Sequence, residues 1–152
     1  MRTDKTTLYV IGGTVALVYF GVLDPILKSL GIKKDQDDRN LDAQAQDPGS
    51  PWAPTMWKQV SGAIILTNAA AVKFTDELYN AFGAFNDCEE CVKAVFRQLK
   101  FKTQVSYLAD VFYQRYGQDL LAYLRGGNWP QDRLSSADLA EINSFIQKLP
   151  LK

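Results

Sequence analysis

The sequence predicts an all-α protein, in which a single N-terminal transmembrane helix precedes a compact domain of five or six short helices. Two observations predict this fold class. First, residues 6–23 form a run of 18 residues without a charged side chain. Second, apolar residues recur at helical spacing from residue 55 to residue 150, and no segment shows the alternation that is typical of a strand.

The composition excludes several classes of chemistry. The 152 residues include no histidine, so neither a Ser-His-Asp system nor a His-containing zinc site can be built. The 17 basic and 17 acidic residues balance, which argues against specific nucleic-acid binding through a basic surface. No spacing of carboxylates singles out a catalytic pair. We therefore expect no catalytic residue, no cofactor and no metal, in a protein that is not an enzyme.

Residues 1–32 are predicted to form a membrane anchor and a short interfacial segment. As a helix rising about 1.5 Å per residue, the uncharged run would span roughly 27 Å, close to the thickness of a hydrocarbon core. No small-residue cleavage site follows it, which favours an uncleaved, single-pass anchor over a signal peptide; a buried core helix is the alternative. The anchor residues are Leu8, Tyr9, Val10, Ile11, Val15, Leu17, Val18, Tyr19, Phe20, Val22 and Leu23.

Residues 33–54 are predicted to be a linker that leads into a helical domain over residues 55–152. Seven of the first ten linker residues are charged, and three prolines end it, so we expect an extended spacer. Trp52 and Trp57 lie at the junction. They are candidates for contact with a partner or the bilayer, although packing onto the domain itself is the favoured interpretation.

The first half of the domain is predicted to hold three helices. The apolar spacing indicates helices over residues 55–72 and 74–83, and Asp87 with Glu90 forms a capping-box-like start for a third. The second and third helices are expected to bury Phe74, Leu78, Ala81 and Phe82, and then Cys91, Val92, Val95, Phe96 and Leu99.

The second half is predicted to hold three more. Thr103 is expected to cap the first of them, and Gly117 to end it. A short helix over residues 118–124 follows, which Asp119 is expected to cap or brace, and Ser135 or Ser136 is expected to cap the last helix. The side chains expected to face inward are Val105, Leu108, Ala109, Phe112, Tyr113, Tyr116, Leu139, Ile142, Phe145, Ile146 and Leu149.

Two short motifs give residues 74–149 a resemblance to a single annexin repeat, a five-helix unit. Residues 83–87 (GAFND) resemble the turn after the first helix of such a repeat, and residues 116–120 (YGQDL) resemble its Tyr-Gly-x-Asp-Leu signature. The resemblance implies an annexin-repeat-like domain. Its motif residues here are Gly83, Asn86, Asp87, Tyr116, Gly117, Asp119 and Leu120.

The resemblance implies the fold more than the calcium site of that family. Phe85 stands where the repeat has its second glycine, so a left-handed backbone there would be strained. The distant carboxylate of the calcium loop should fall at residues 126–129, which hold none; Asp132 is the nearest. Calcium prefers six or more oxygen ligands, and we therefore expect no calcium binding.

Residues 137–150 (ADLAEINSFIQKLP) resemble the ends of virion proteins of phages that infect Bacteroidetes, some of which enclose a membrane inside the capsid. This resemblance implies a structural protein that links a virion's internal membrane to its shell. Its expected partners are the lipid bilayer and other capsid or membrane proteins, with a homo-oligomer as a further option. The alternatives are an adaptor in a bacterial inner membrane and a cell-wall-active hydrolase that uses paired carboxylates.

Cys88 and Cys91 have the CxxC spacing of redox dithiols, at a predicted helix start where a thiolate is stabilised. Glu89 and Glu90 oppose that chemistry, because neighbouring negative charge raises the pKa of a thiol. A structural role is favoured, with Cys91 in the core, and redox activity stays open.

A basic stripe follows on the same predicted helix and just beyond it, formed by Lys93, Arg97, Lys100 and Lys102. Anionic lipid or nucleic acid could contact such a stripe. The favoured interpretation is a solvated helix face, balanced by the two glutamates one turn away.

Overall fold

A computed structural model of the protein describes residues 9–11, 14–16, 41, 43–44, 47–82, 88–126 and 133–152. The chain divides into two compact units, residues 1–36 and residues 37–152.

The first unit contains a short antiparallel pair of strands. Strand β1 (Tyr9–Ile11) pairs with β2 (Thr14–Ala16), with Tyr9 opposite Ala16. These six residues are extended, whereas the sequence predicts a helix there. The rest of the predicted anchor lies outside the described residues, so the anchor stays a prediction. Among the residues that are described, no helix combines the length and the apolar character needed to cross a bilayer.

The second unit is helical, which confirms the all-α prediction for the domain. Its described part contains six helices. They are α1 (Met56–Gln59), α2 (Asn68–Asn80), α3 (Glu89–Gln98), α4 (Lys102–Tyr116), α5 (Leu120–Leu124) and α6 (Ser136–Lys148).

Local sequence signals explain four of the helix ends in the described part of the domain. The side chains of Thr67, Asp119 and Ser135 each accept a hydrogen bond from a backbone N–H in the first turn of α2, α5 and α6. Gly117 ends α4 with φ +67°, a left-handed conformation that favours glycine. The predicted caps at Asp119 and Ser135 and the predicted stop at Gly117 are confirmed.

The helix predicted over residues 55–72 is wrong. Helix α1 ends at Gln59, and the chain then runs without helix until α2 begins at Asn68. Within the break, Gly62 has φ +68°, a left-handed conformation that favours glycine, and the Thr103 hydroxyl donates to the Ile64 carbonyl at 2.7 Å, which satisfies that carbonyl without a helix. Thr103 therefore does not cap α4, whose N-cap is Phe101.

The core lies between α4 and the helices around it, and it confirms most of the predicted inward positions. Tyr113 is an exception, because 55% of it is exposed. Leu41 and Trp52 are both 1% exposed and belong to the core, so the compact unit begins before residue 55. The side chains that are fully buried include Leu78, Val92, Val105, Leu108, Phe112, Leu120, Leu124 and Ile146.

Truncation of a core side chain on α4 tests this packing. Leu108 has no exposed surface, so Leu108→Ala is expected to lower the free energy of unfolding of the full chain by about 2–5 kcal/mol. The matched control on the same helix is Tyr113→Ala, for which a change within about 0.5 kcal/mol is expected. Urea unfolding followed by circular dichroism measures both, and equal losses would contradict the packing described.

Candidate functional site

A surface pocket of about 380 Å³ lies between α1 and α4, with Asp110 on its wall. Lys58 Nζ lies 2.9 Å from Asp110 Oδ2, and the Trp57 indole N–H donates to the same oxygen at 3.1 Å. The Gln114 amide donates to Oδ1 at 3.0 Å. The Trp57 ring packs edge-on against Tyr107, with ring centres 5.2 Å apart. Both carboxylate oxygens are thus occupied by donors from the protein.

These donors decide the ionisation of Asp110. Burial raises the pKa of the carboxyl, but hydrogen bonds from Lys58, Gln114 and Trp57 outweigh burial, and the pKa lies below its usual value. A carboxylate held ionised in this way is suited to position α1 on α4. It is not suited to donate a proton at neutral pH.

The annexin-like signature forms the turn from α4 to α5. Gly117 reverses the chain, Asp119 caps α5 by accepting from the Ala122 N–H at 2.8 Å, and Leu120 is fully buried. Tyr116 packs flat on Tyr79, with ring centres 4.0 Å apart. The other three motif residues, Gly83, Asn86 and Asp87, lie outside the described residues, as do Phe85 and Asp132 of the calcium argument.

Asp76 on α2 joins that helix to the end of α4, through Arg115 and Tyr116. The Tyr116 hydroxyl donates to Asp76 Oδ1 at 2.5 Å, and Arg115 Nη2 lies 2.7 Å from the same oxygen. These hydrogen bonds, with that of Tyr116 contributing most, hold the pKa of Asp76 below its usual value. The signature tyrosine therefore acts with Arg115 as a brace for α2.

Both candidate tryptophans pack onto the domain, which is the interpretation that the sequence favours. Trp52 is 1% exposed, its indole N–H donates to Asn143 Oδ1 at 3.1 Å, and its ring packs edge-on against Phe96. Trp57 is half-buried against Tyr107. Trp52 thus offers almost no surface to a partner.

The basic stripe is divided between two environments. Lys93 is 8% exposed, and its Nζ lies 2.6 Å from Asp138, 2.7 Å from Glu141 and 3.5 Å from Glu90. Arg97 pairs with both glutamates as well. The interpretation of Lys93 as part of a solvated face is wrong, because α6 packs over it. The sequence holds no clear signal of this burial, because three of the four residues one turn away from Lys93 are charged: Glu89, Glu90 and Arg97.

The other two lysines of the stripe belong to one end of the domain. There the Lys102 N–H donates to the Pro150 carbonyl at 2.9 Å, and the Thr103 N–H to the Leu151 carbonyl at 3.3 Å. We call this end the lysine–isoleucine end, and it consists of Ile64, Ile65, Leu151, Lys100, Lys102, Lys148 and Lys152. No carboxylate in the described part of the chain pairs with its four lysines, and its three apolar side chains are 36–49% exposed.

The two cysteines form a disulfide across the first turn of α3, with Cα atoms 5.2 Å apart. Cys88 is half-buried and Cys91 is exposed. The predicted core position of Cys91 is wrong, because α3 turns Val92, Val95 and Phe96 toward the core instead. Among the described residues, no group of His, Cys, Asp and Glu could hold a metal ion.

Comparisons of the chain with protein-family models, with curated proteins and with solved structures find no match.

The Lys93 cluster predicts a pH dependence of stability. Hydrogen bonds from Lys93 lower the pKa of Asp138 and of Glu141, so their contribution is complete above the ordinary carboxyl pKa of about 4 and is lost as pH falls through the lowered values. Lys93→Met is therefore expected to flatten the decline in stability between pH 7 and acid conditions. Urea unfolding at a series of pH values measures this decline.

The control for Lys93→Met is Lys73→Met. Lys73 is exposed on α2 and lies 3.6 Å from Glu77, so its removal should leave the acid decline unchanged. If both variants lose stability with the same pH dependence as the unaltered chain, the ion cluster does not control the acid response.

Proposed function

We propose that this chain is a membrane-anchored structural protein that links a bilayer to a protein shell, as in a virion with an internal membrane. The predicted anchor over residues 6–23 supplies the attachment to lipid, and residues 37–152 supply a helical body for the second attachment. The resemblance of residues 137–150 to the ends of phage virion proteins is what suggests a virion over a bacterial membrane.

The lysine–isoleucine end is the observation that carries this proposal. Its lysines contrast with Lys58 and Lys93, which pair with carboxylates at 2.9 Å or less. Exposed apolar side chains, bordered by lysines that pair with no carboxylate in the described part of the chain, suit an acidic, partly apolar protein surface. Because the anchor already provides contact with lipid, we assign this end to a neighbouring structural protein of the shell.

Four of the described carboxylates support a structural role over hydrolysis. Asp76, Asp110, Asp138 and Glu141 all have lowered pKa values, each through hydrogen bonds with basic side chains and neighbouring donors. A glycosidase needs one carboxyl with a raised pKa as its general acid. These four residues join helices together, and a rigid body of this kind is what a linker between membrane and shell requires.

Alkaline extraction of membranes tests the anchor. The full chain is expected to stay in the membrane pellet after washing with carbonate at high pH, because a spanning helix is held by the hydrophobic effect. Leu17→Arg with Val18→Arg should release most of the protein, since charges at the centre of a span are costly. The exchange Lys33→Ala with Lys34→Ala is the control and should release none. Release of the unaltered chain by the wash would overturn the anchor.

Photo-crosslinking tests the assignment of the lysine–isoleucine end. A benzophenone side chain in place of Ile65, in the full chain in its natural membrane, is expected to yield one protein adduct at fixed stoichiometry in isolated particles. The same probe at Tyr113, which is 55% exposed on another surface, should yield none. Lys102→Glu with Lys152→Glu should reduce the Ile65 adduct at least tenfold, and Lys73→Glu should not. Labelling of lipid alone from Ile65 would contradict the assignment.

A further inference from the structure

The disulfide between Cys88 and Cys91 lies where a second molecule can reach it. Cys91 is exposed, and Cys88 is half-buried at the N-cap of α3. The bond closes a loop of only four residues, and the stabilisation from a disulfide falls as the closed loop shortens. The helix itself is held by Val92, Val95 and Phe96, each at most 2% exposed. Opening the bond therefore leaves the core intact.

A cavity of about 430 Å³ lies beside the disulfide, between α2 and α3. Both cysteines are on its wall, and small apolar side chains, Ala81, Ala94 and Val95, form part of its surface. Glu77, Asn80 and Gln98 supply polar groups around them. A short peptide segment with an apolar side chain fits such a cavity, which would place a neighbouring cysteine against the disulfide.

The start of α3 is prepared to receive a thiolate on Cys88. The helices α2, α5 and α6 have N-cap side chains that accept a first-turn N–H, whereas Cys88 makes no such hydrogen bond while its sulfur is in the disulfide. A thiolate on Cys88 would occupy the position of that acceptor and would also gain from the helix dipole. Cys88 is therefore the better leaving group of the two.

The acidic residues nearby weaken this preference without removing it. Glu90 is neutralised by Arg97 at 3.4 Å and by Lys93 at 3.5 Å, and Glu77 by Lys73 at 3.6 Å. Glu89 is exposed to solvent, where its charge is screened.

We propose that Cys88 and Cys91 form a thiol–disulfide exchange site for a protein or peptide with two cysteines, which docks in the cavity between α2 and α3. A partner thiolate attacks Sγ of Cys91 and forms a mixed disulfide, while the Cys88–Cys91 bond breaks and its electron pair leaves on Cys88. The second partner thiol, as a thiolate, then attacks the partner sulfur of the mixed disulfide and releases Cys91 as a thiolate. The partner loses two electrons and two protons, and this chain gains them. This activity is independent of the proposed structural function.

The experiment uses the oxidised full chain and a synthetic peptide with two reduced cysteines flanked by leucines. Mass spectrometry is expected to show one peptide disulfide formed for each chain reduced. With the Cys88→Ser variant, a peptide of the same sequence but with a single cysteine, supplied as an activated mixed disulfide, should stay attached to Cys91, because neither Cys88 nor a second peptide thiol is present to displace it. Ala94→Trp, which fills the cavity, should slow reduction by the peptide at least tenfold, and Ala69→Trp, on an exposed position of α2, should not.

A second measurement separates exchange from a structural disulfide. The alkylation rate of Cys88 in the reduced chain, followed against pH, should have its midpoint below the ordinary thiol pKa of about 8.5. A disulfide that stays closed in a tenfold excess of the reduced peptide, although the same bond opens in the unfolded chain, overturns the proposal. So does reduction that proceeds equally fast in Ala94→Trp.

Discussion

Burial of one face of α4 is the interaction on which the rest of the domain depends. Val105, Leu108, Ala109 and Phe112 on this helix are at most 1% exposed, and helices α1, α2, α5 and α6 all contact it. Burying side chains of this size contributes about 1.5–3 kcal/mol each for the larger ones, more than any surface ion pair supplies. The remaining helices are short, so most of their stability comes from this packing.

Polar groups on α4 then fix which segment lies against each side of it. The Ser106 hydroxyl donates to the Ala53 carbonyl at 2.5 Å and accepts from the Trp57 N–H at 3.0 Å, and Asp110 binds Trp57 and Lys58. Lys93 does the same between α3 and α6. A buried charge without its partner would be costly, so each such group permits one arrangement of its neighbours.

Local signals in the sequence account for the parts of the fold that local physics decides. Helical spacing located α2, α3, α4 and α6. Gly117 marked the end of α4, and Asp119 and Ser135 marked the starts of α5 and α6, because a cap or a left-handed turn depends on a few adjacent residues. The break after Gln59 has one local signal, Gly62 with φ +68°, but the acceptor at Ile64 is satisfied by Thr103, 39 residues away, which no local pattern predicts.

The candidate sites also combine features that local sequence predicts with features that depend on tertiary structure. The CxxC spacing was evident in the sequence, but the exposure of Cys91 depends on which face α3 turns to the core. The lysine–isoleucine end unites residues 61–66, 100–103 and 148–152, and only tertiary structure brings these together. The burial of Lys93 and Asp110 likewise depends on tertiary structure, because most residues one turn away from each of them along the helix are polar or charged.

The hydrogen bond between Trp52 and Asn143 joins residues 91 positions apart, and it has a consequence for how the chain is made. At a synthesis rate of about 5–20 residues per second, α6 leaves the ribosome roughly 5–20 s after Trp52 does. For that interval the indole of Trp52 has no partner on α6, and the α3–α6 ion cluster cannot form. The domain is therefore completed late, by its last helix, and a nascent chain that ends before residue 146 leaves part of its apolar core uncovered.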